Sequence, residues 1–225
     1  VHVVSTRIVR KDRYVERAHT RKLFEEYVGA ESLEIPAWPD FGSYDAVVVL
    51  DYGHGMFDAA LIERLCAEAR FLAVNVQANA GNYGFNLATK WPRADYLCVD
   101  EWEARLATQN QHGDIWRSIG TLATKGYGRI CITLGKQGAI GLCPKGGFEP
   151  ISVPAFTDRI VDTMGAGDAF FAVTAVMAEG EDMAELLRVG NAAGALKAQI
   201  VGHRAFVTKA KLLAYLEAHG TASKD

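Results

Sequence analysis

Residues 162–171 read Asp-Thr-Met-Gly-Ala-Gly-Asp-Ala-Phe-Phe. An acid and a threonine lead into Gly165, Ala166 and Gly167, a second acid follows at Asp168, and an apolar-periodic helix begins there. A glycine-rich turn at a helix start presents unpaired N–H groups and the positive end of the helix dipole, which suits an anion such as a transferring phosphate. An aspartate one residue beyond that turn is placed to take a proton from a hydroxyl attacking the phosphate. The same residues admit a plainer reading, in which the glycines allow close helix–strand packing and Asp168 is a first-turn carboxylate favoured by the dipole.

Such a turn works only if strands and helices deliver it to a common edge. Residues 46–50 form a continuous apolar run, expected as a strand buried on both faces, and end in the loop Asp51-Tyr52-Gly53-His54-Gly55. Asp58 can cap a helix whose Leu61, Ile62, Leu65, Cys66 and Ala69 share one face. Strands are expected at 71–76, 96–99 and 129–133, with a helix opening at Asp100 or Glu101 and another over 115–124. Residues 139–143 and 148–153 read as antiparallel additions, and helices follow at about 166–179, 183–199 and 208–219. This alternation predicts an α/β fold, a mainly parallel sheet with helices on both faces, with ligands beyond the carboxyl ends of the strands. Alternating segments 3–9 and 13–19 around Lys11-Asp12 predict a small β-hairpin. The domain division expected is therefore a hairpin at 1–20 and an α/β unit at 21–225.

The chain has 225 residues, 49% of them hydrophobic, and a formal net charge of −3. That length suits one large α/β domain or slightly more. The near-neutral balance offers no electrostatic case for nucleic acid or an anionic membrane, and no apolar run approaches the roughly 20 residues of a membrane span. Cys66, Cys98, Cys131 and Cys143 form no Cys-x-x-Cys pair and sit in apolar runs, so a soluble cytoplasmic protein with reduced thiols is expected. No Gly-x-Gly-x-x-Gly follows an early strand, which argues against a dinucleotide-dependent dehydrogenase.

Asp162, Thr163, Gly165, Ala166, Gly167, Asp168 and Phe170 resemble the carboxy-terminal signature of the PfkB/ribokinase-like carbohydrate kinases. The resemblance implies a ribokinase-like fold with a lid hairpin, ATP and Mg2+ as cofactors, and a sugar or sugar phosphate as acceptor. It also implies that Asp168 is the catalytic base and that the Gly165, Ala166 and Gly167 amides form the anion hole. Thr133-Leu134-Gly135-Lys136-Gln137-Gly138 resembles the family's Thr-x-Gly-x-x-Gly nucleotide stretch, although Gly135 and Gly138 equally suit a strand-to-strand turn. Asn191 stands in a small-residue segment resembling the adenine wall, with close helix packing as the other reading. Asp162 and Thr163 are carried over with the nucleotide site. Cys98-Val99-Asp100-Glu101 lies where Asn-x-x-Glu is usual, which implies a magnesium role for Glu101.

Three further stretches resemble the branch that phosphorylates a heptose phosphate, often fused to a nucleotidyltransferase. They are Thr6-Arg7-Ile8-Val9, the Asp51 loop and Asn75-Val76-Gln77, which imply substrate roles for Arg7 and Asp51. His54 and Gln77 stand where that branch has lysines, and Asn75 where it has aspartate. These replacements, and the family's usual longer amino-terminal part, leave two alternatives open: a nucleotide- or sugar-binding module with weakened catalysis, or a dimerisation domain of a larger bifunctional protein. A homodimer, an exposed sheet edge and a longer parent chain are expected.

Overall fold

A computed structural model of the chain describes residues 10–16, 21–28, 38–79, 81–147, 149–156, 159–202 and 204–219. The elements in chain order are β1 (Arg10–Glu16), β2 (Arg21–Val28), β3 (Val47–Asp51), α1 (Ala59–Glu68), β4 (Leu72–Val76), β5 (Ala94–Asp100) and α2 (Glu101–Thr108). There follow α3 (Ile115–Ala123), β6 (Tyr127–Thr133), β7 (Ala139–Leu142), β8 (Ile151–Val153), α4 (Ala166–Met177), α5 (Met183–Ala198) and α6 (Lys209–His219).

The main sheet runs β3-β4-β5-β6-β7-β8. Pairing is parallel from β3 to β6 and antiparallel from β6 to β8. Strand alternation divides its side chains between two cores. Leu72, Val74, Val76, Leu97, Val99, Ile130 and Ile132 pack toward Leu61, Leu65, Ile119 and Leu122 of α1 and α3. On the opposite face Ala73, Tyr96, Cys98 and Cys131 pack with Phe170, Phe171, Leu186 and Leu187 of α4 and α5. The predicted two-sided α/β architecture is thus the one observed, and all five β4 residues are buried. Aspartate side chains start the helices where the sequence places them: Asp58 accepts from the Leu61 N–H at 2.8 Å and Asp182 from the Glu185 N–H at 2.8 Å.

Two expectations need correction. β3 is not buried on both faces: it is the edge of the main sheet, and Val48 and Leu50 are 44% and 43% exposed. The hairpin is displaced in sequence. Lys11 and Asp12 lie inside β1, opposite Tyr27 and Glu26, rather than in a turn. Cross-strand partners for the charged residues of β1 come from β2, which single-segment alternation does not reveal. The expected strand at 3–9, with Arg7, lies outside the described residues. Among the described residues no helix is long and apolar enough to cross a membrane.

Candidate active site

The carboxyl ends of β3, β4, β5 and β6 converge on the start of α4. Gly165 occupies the N-cap position with φ +78°, a left-handed conformation that a side chain disfavours. The Ala166 N–H turns back to the Thr163 carbonyl at 3.2 Å, and the first bond into α4 runs from the Ala169 N–H to the Gly165 carbonyl at 2.9 Å. The amides of Gly167 and Asp168 fall before that bond at the start of α4, whereas the Ala166 amide, one of the three carried over with the signature, is already taken.

Asp168 is partly buried. Its Oδ1 accepts from the Gln77 side-chain amide at 2.7 Å and from the Tyr52 hydroxyl at 3.3 Å. These two donors come from the loops after β4 and β3, so the base candidate is aimed by the sheet edge. Neither contact follows from the spacing of the residues in the chain.

On the other side of the turn lies a cavity of about 480 Å³. Thr133, Gly135, Gly138, Thr163, Ala166, Gly167 and Asn191 line it, seven residues predicted for the phosphate turn and the nucleotide. Gly138 has φ +95°, and a Cβ there would stand 2.1 Å from the Val153 carbonyl oxygen, so only glycine fits between β7 and β8. Asn191 donates its amide to the carbonyls of Val153 and Pro154 at 2.9 and 3.2 Å, which ties α5 to the cavity wall. These residues thus both line the cavity and shape it.

Other predicted positions are committed elsewhere. Asp51 is 2% exposed, and its carboxylate accepts from the Lys90 ammonium at 2.6 Å, the Trp91 indole at 3.0 Å and the Gly53 N–H at 3.1 Å. It anchors the 51–55 loop instead of facing an acceptor. Asp162 is buried and accepts from the N–H groups of Met164 at 2.9 Å and Gly202 at 2.7 Å, so it holds the turn and does not line the cavity.

Glu101 borders the cavity, but its carboxylate is held by Arg105 at 2.8 and 3.0 Å. Cys98 is buried within β5. Asp100 and Glu103 form a reciprocal capping box at the start of α2, and Glu103 also accepts from the Ala78 N–H at 3.0 Å. Burial first, and then the Asp100 charge, push the Glu103 carboxyl up to about 8, with Asp168 adding to the shift.

Among the described residues no three His, Cys, Asp or Glu side chains group to cage a metal ion. Mg2+ keeps most of its waters and is held by one or two carboxylates together with substrate phosphates, so Glu101, which borders the cavity, is a residue of the kind that could hold it.

The family profile described as "pfkB family carbohydrate kinase" matches residues 33–210. The "Bifunctional protein HldE" of Rhodopseudomonas palustris strain BisB18 is 30% identical over 198 residues, covering 85% of this chain and 38% of that protein. The chain thus spans less than two fifths of the length of such relatives. Ribokinase from Thermotoga maritima superposes with a TM-score of 0.75 at 19% identity, over 93% of this chain and 69% of its own. Arabidopsis thaliana ribokinase, solved with ribose and ATP, gives 0.67 at 20% identity, over 86% and 65%.

Proposed function

The chain belongs to the pfkB family of carbohydrate kinases, and on that premise we propose that it transfers the γ-phosphate of ATP to a hydroxyl of a sugar or sugar phosphate. The observation that carries this reading is the two-sided turn at Gly165. Asp168 faces the loops after β3 and β4, while the cavity lined by Thr133, Gly135, Thr163 and Asn191 lies on the other side. A phosphate bridging the two sides would lie against the start of α4.

In this mechanism Asp168 receives the proton of the attacking hydroxyl, with Gln77 and Tyr52 holding its Oδ1 so that Oδ2 is left for the acceptor. The α4 amides and helix dipole stabilise charge on the transferring group. Mg2+, when bound with the nucleotide, would spread the phosphate charge. Glu101, at the border of the cavity, is the carboxylate we assign to its hydrated shell. Hydrogen bonds to Asp168 from two neutral donors, where a heptose-phosphate kinase has a lysine at position 77, favour one alternative: a nucleotide-binding domain with slowed transfer.

We further assign the β1–β2 hairpin a lid role, supported by its pairing apart from the main sheet. A homodimer contact is placed at the β3 edge, supported by the exposed Val48 and Leu50. Cytoplasmic residence is supported by four free cysteines. The heptose-phosphate branch remains the acceptor class we favour, on the similarity to HldE proteins.

Titration of Mg-ATP into the purified chain, with ADP release assayed over a panel of sugars and sugar phosphates, tests the reading. Asp168→Asn should bind ATP as the parent does and lose about 10²–10⁴-fold in kcat. Undiminished turnover in that variant would remove Asp168 from the chemistry.

A further inference from the structure

α5 buries an almost wholly apolar surface, including Leu186, Leu187, Val189, Ala192 and Ala193, yet Lys197 is only 8% exposed within it. A buried ammonium is costly unless it is hydrogen-bonded and offset by opposite charge. Lys197 Nζ donates to the Met164 carbonyl at 2.8 Å and to the Gly202 carbonyl at 2.9 Å. Asp162 accepts from the N–H groups of those same two residues. One cation and one carboxylate thus grip the two sides of the same pair of residues, joining the segment before α4 to the segment after α5.

Met164 immediately precedes the left-handed Gly165. A Cβ built on Gly165 would lie 3.2 Å from Lys197 Cε, 3.7 Å from its Nζ and 3.8 Å from Asp168 Oδ2. The ammonium therefore sits directly behind the anion turn. Its neighbours Ala195 and Ala198 line the cavity. We propose that Lys197 is a built-in cation of the phosphate site, a positioning residue that sets the Gly165 turn and adds positive potential where the nucleotide phosphates lie. This inference rests on the reading of the turn as a phosphate cradle. It explains why a charge is retained inside an apolar helix face, where a leucine or methionine would pack without desolvating an ion.

The test uses the full chain and Lys197→Met, with ATP and adenosine as paired probes in calorimetry and amide exchange measured without ligand. Loss of a charge-assisted contact predicts at least about tenfold weaker ATP binding while adenosine affinity changes by less than about twofold. Faster exchange is expected at Met164 and Gly202, with the central strands unchanged. Equal losses for both probes, or none, would overturn the proposal. If Lys197→Met does not unfold cooperatively, Lys197→Gln, which keeps a donor without the charge, decides by the same two affinities. A parent chain that binds neither probe refutes the nucleotide reading itself. Unaltered exchange at Met164 in the variant would then overturn the positioning role separately.

Discussion

At the scale of single residues, the site is organised by what each carboxylate has already accepted. Asp168 receives one strong hydrogen bond from Gln77, which fixes its Oδ1. Gln77→Leu removes that donor, so kcat should fall about tenfold with ATP affinity unchanged. An unaltered kcat would show that Gln77 does not orient the base. Asp51 has the opposite character, being buried and fully engaged with Lys90, Trp91 and the Gly53 amide. Asp51→Ala should cost about 3 kcal/mol in urea unfolding, because it strands a partly buried ammonium and an indole N–H. A changed acceptor KM with native stability would instead restore Asp51 as a substrate ligand. In the local sequence Asp51 ends an apolar run ahead of a glycine-containing loop, whereas Asp168 follows a glycine-rich turn into a helix. Their partners lie 40 and 91 residues away along the chain, where no local window reaches them.

At the scale of elements, the chemistry depends on how helices begin. α1, α2, α3 and α5 each start on an aspartate side chain that accepts a backbone N–H, whereas α4 starts on glycine and has no side-chain cap. An unfilled helix start is what an anion can use. These caps were readable because side-chain capping is local. Glu101 was legible as a helix-start acid, whereas the burial that singles out Glu103 is a property of packing. Glu103 also carries a pH signature. Its carboxyl is raised in the folded state to about 8, so the native protein holds a proton that the unfolded chain releases. That contribution is fully present below the ordinary glutamate range and is lost as pH rises toward about 8. In chelator-treated protein, the urea midpoint should fall between pH 5 and 8, and Glu103→Gln should flatten that fall. An equally steep decline in the variant would assign the pH dependence to other groups.

At the scale of the molecule, the sheet presents two different margins. The β8 side is packed against α5 through Asn191, while the β3 side leaves Val48 and Leu50 in solvent. Apolar side chains on an edge strand, one margin of which has no neighbour among the described residues, are a template for association. Val48→Lys should therefore lower the weight-average mass in sedimentation equilibrium without altering ATP binding. A mass unchanged by the substitution would place the contact elsewhere.

The sequence by itself determined the two-sided α/β sheet, the helix starts and the glycine turn at Gly165, because hydrophobic period, capping chemistry and glycine conformation act over a few neighbouring residues. The tertiary structure alone decided that β3 is an edge, that Gln77 and Tyr52 aim Asp168, that Asp51 is an anchor, and that Lys197 lies behind the turn. Each of these is a contact between residues distant in the chain. Its energy depends on burial and on partners that no local window contains.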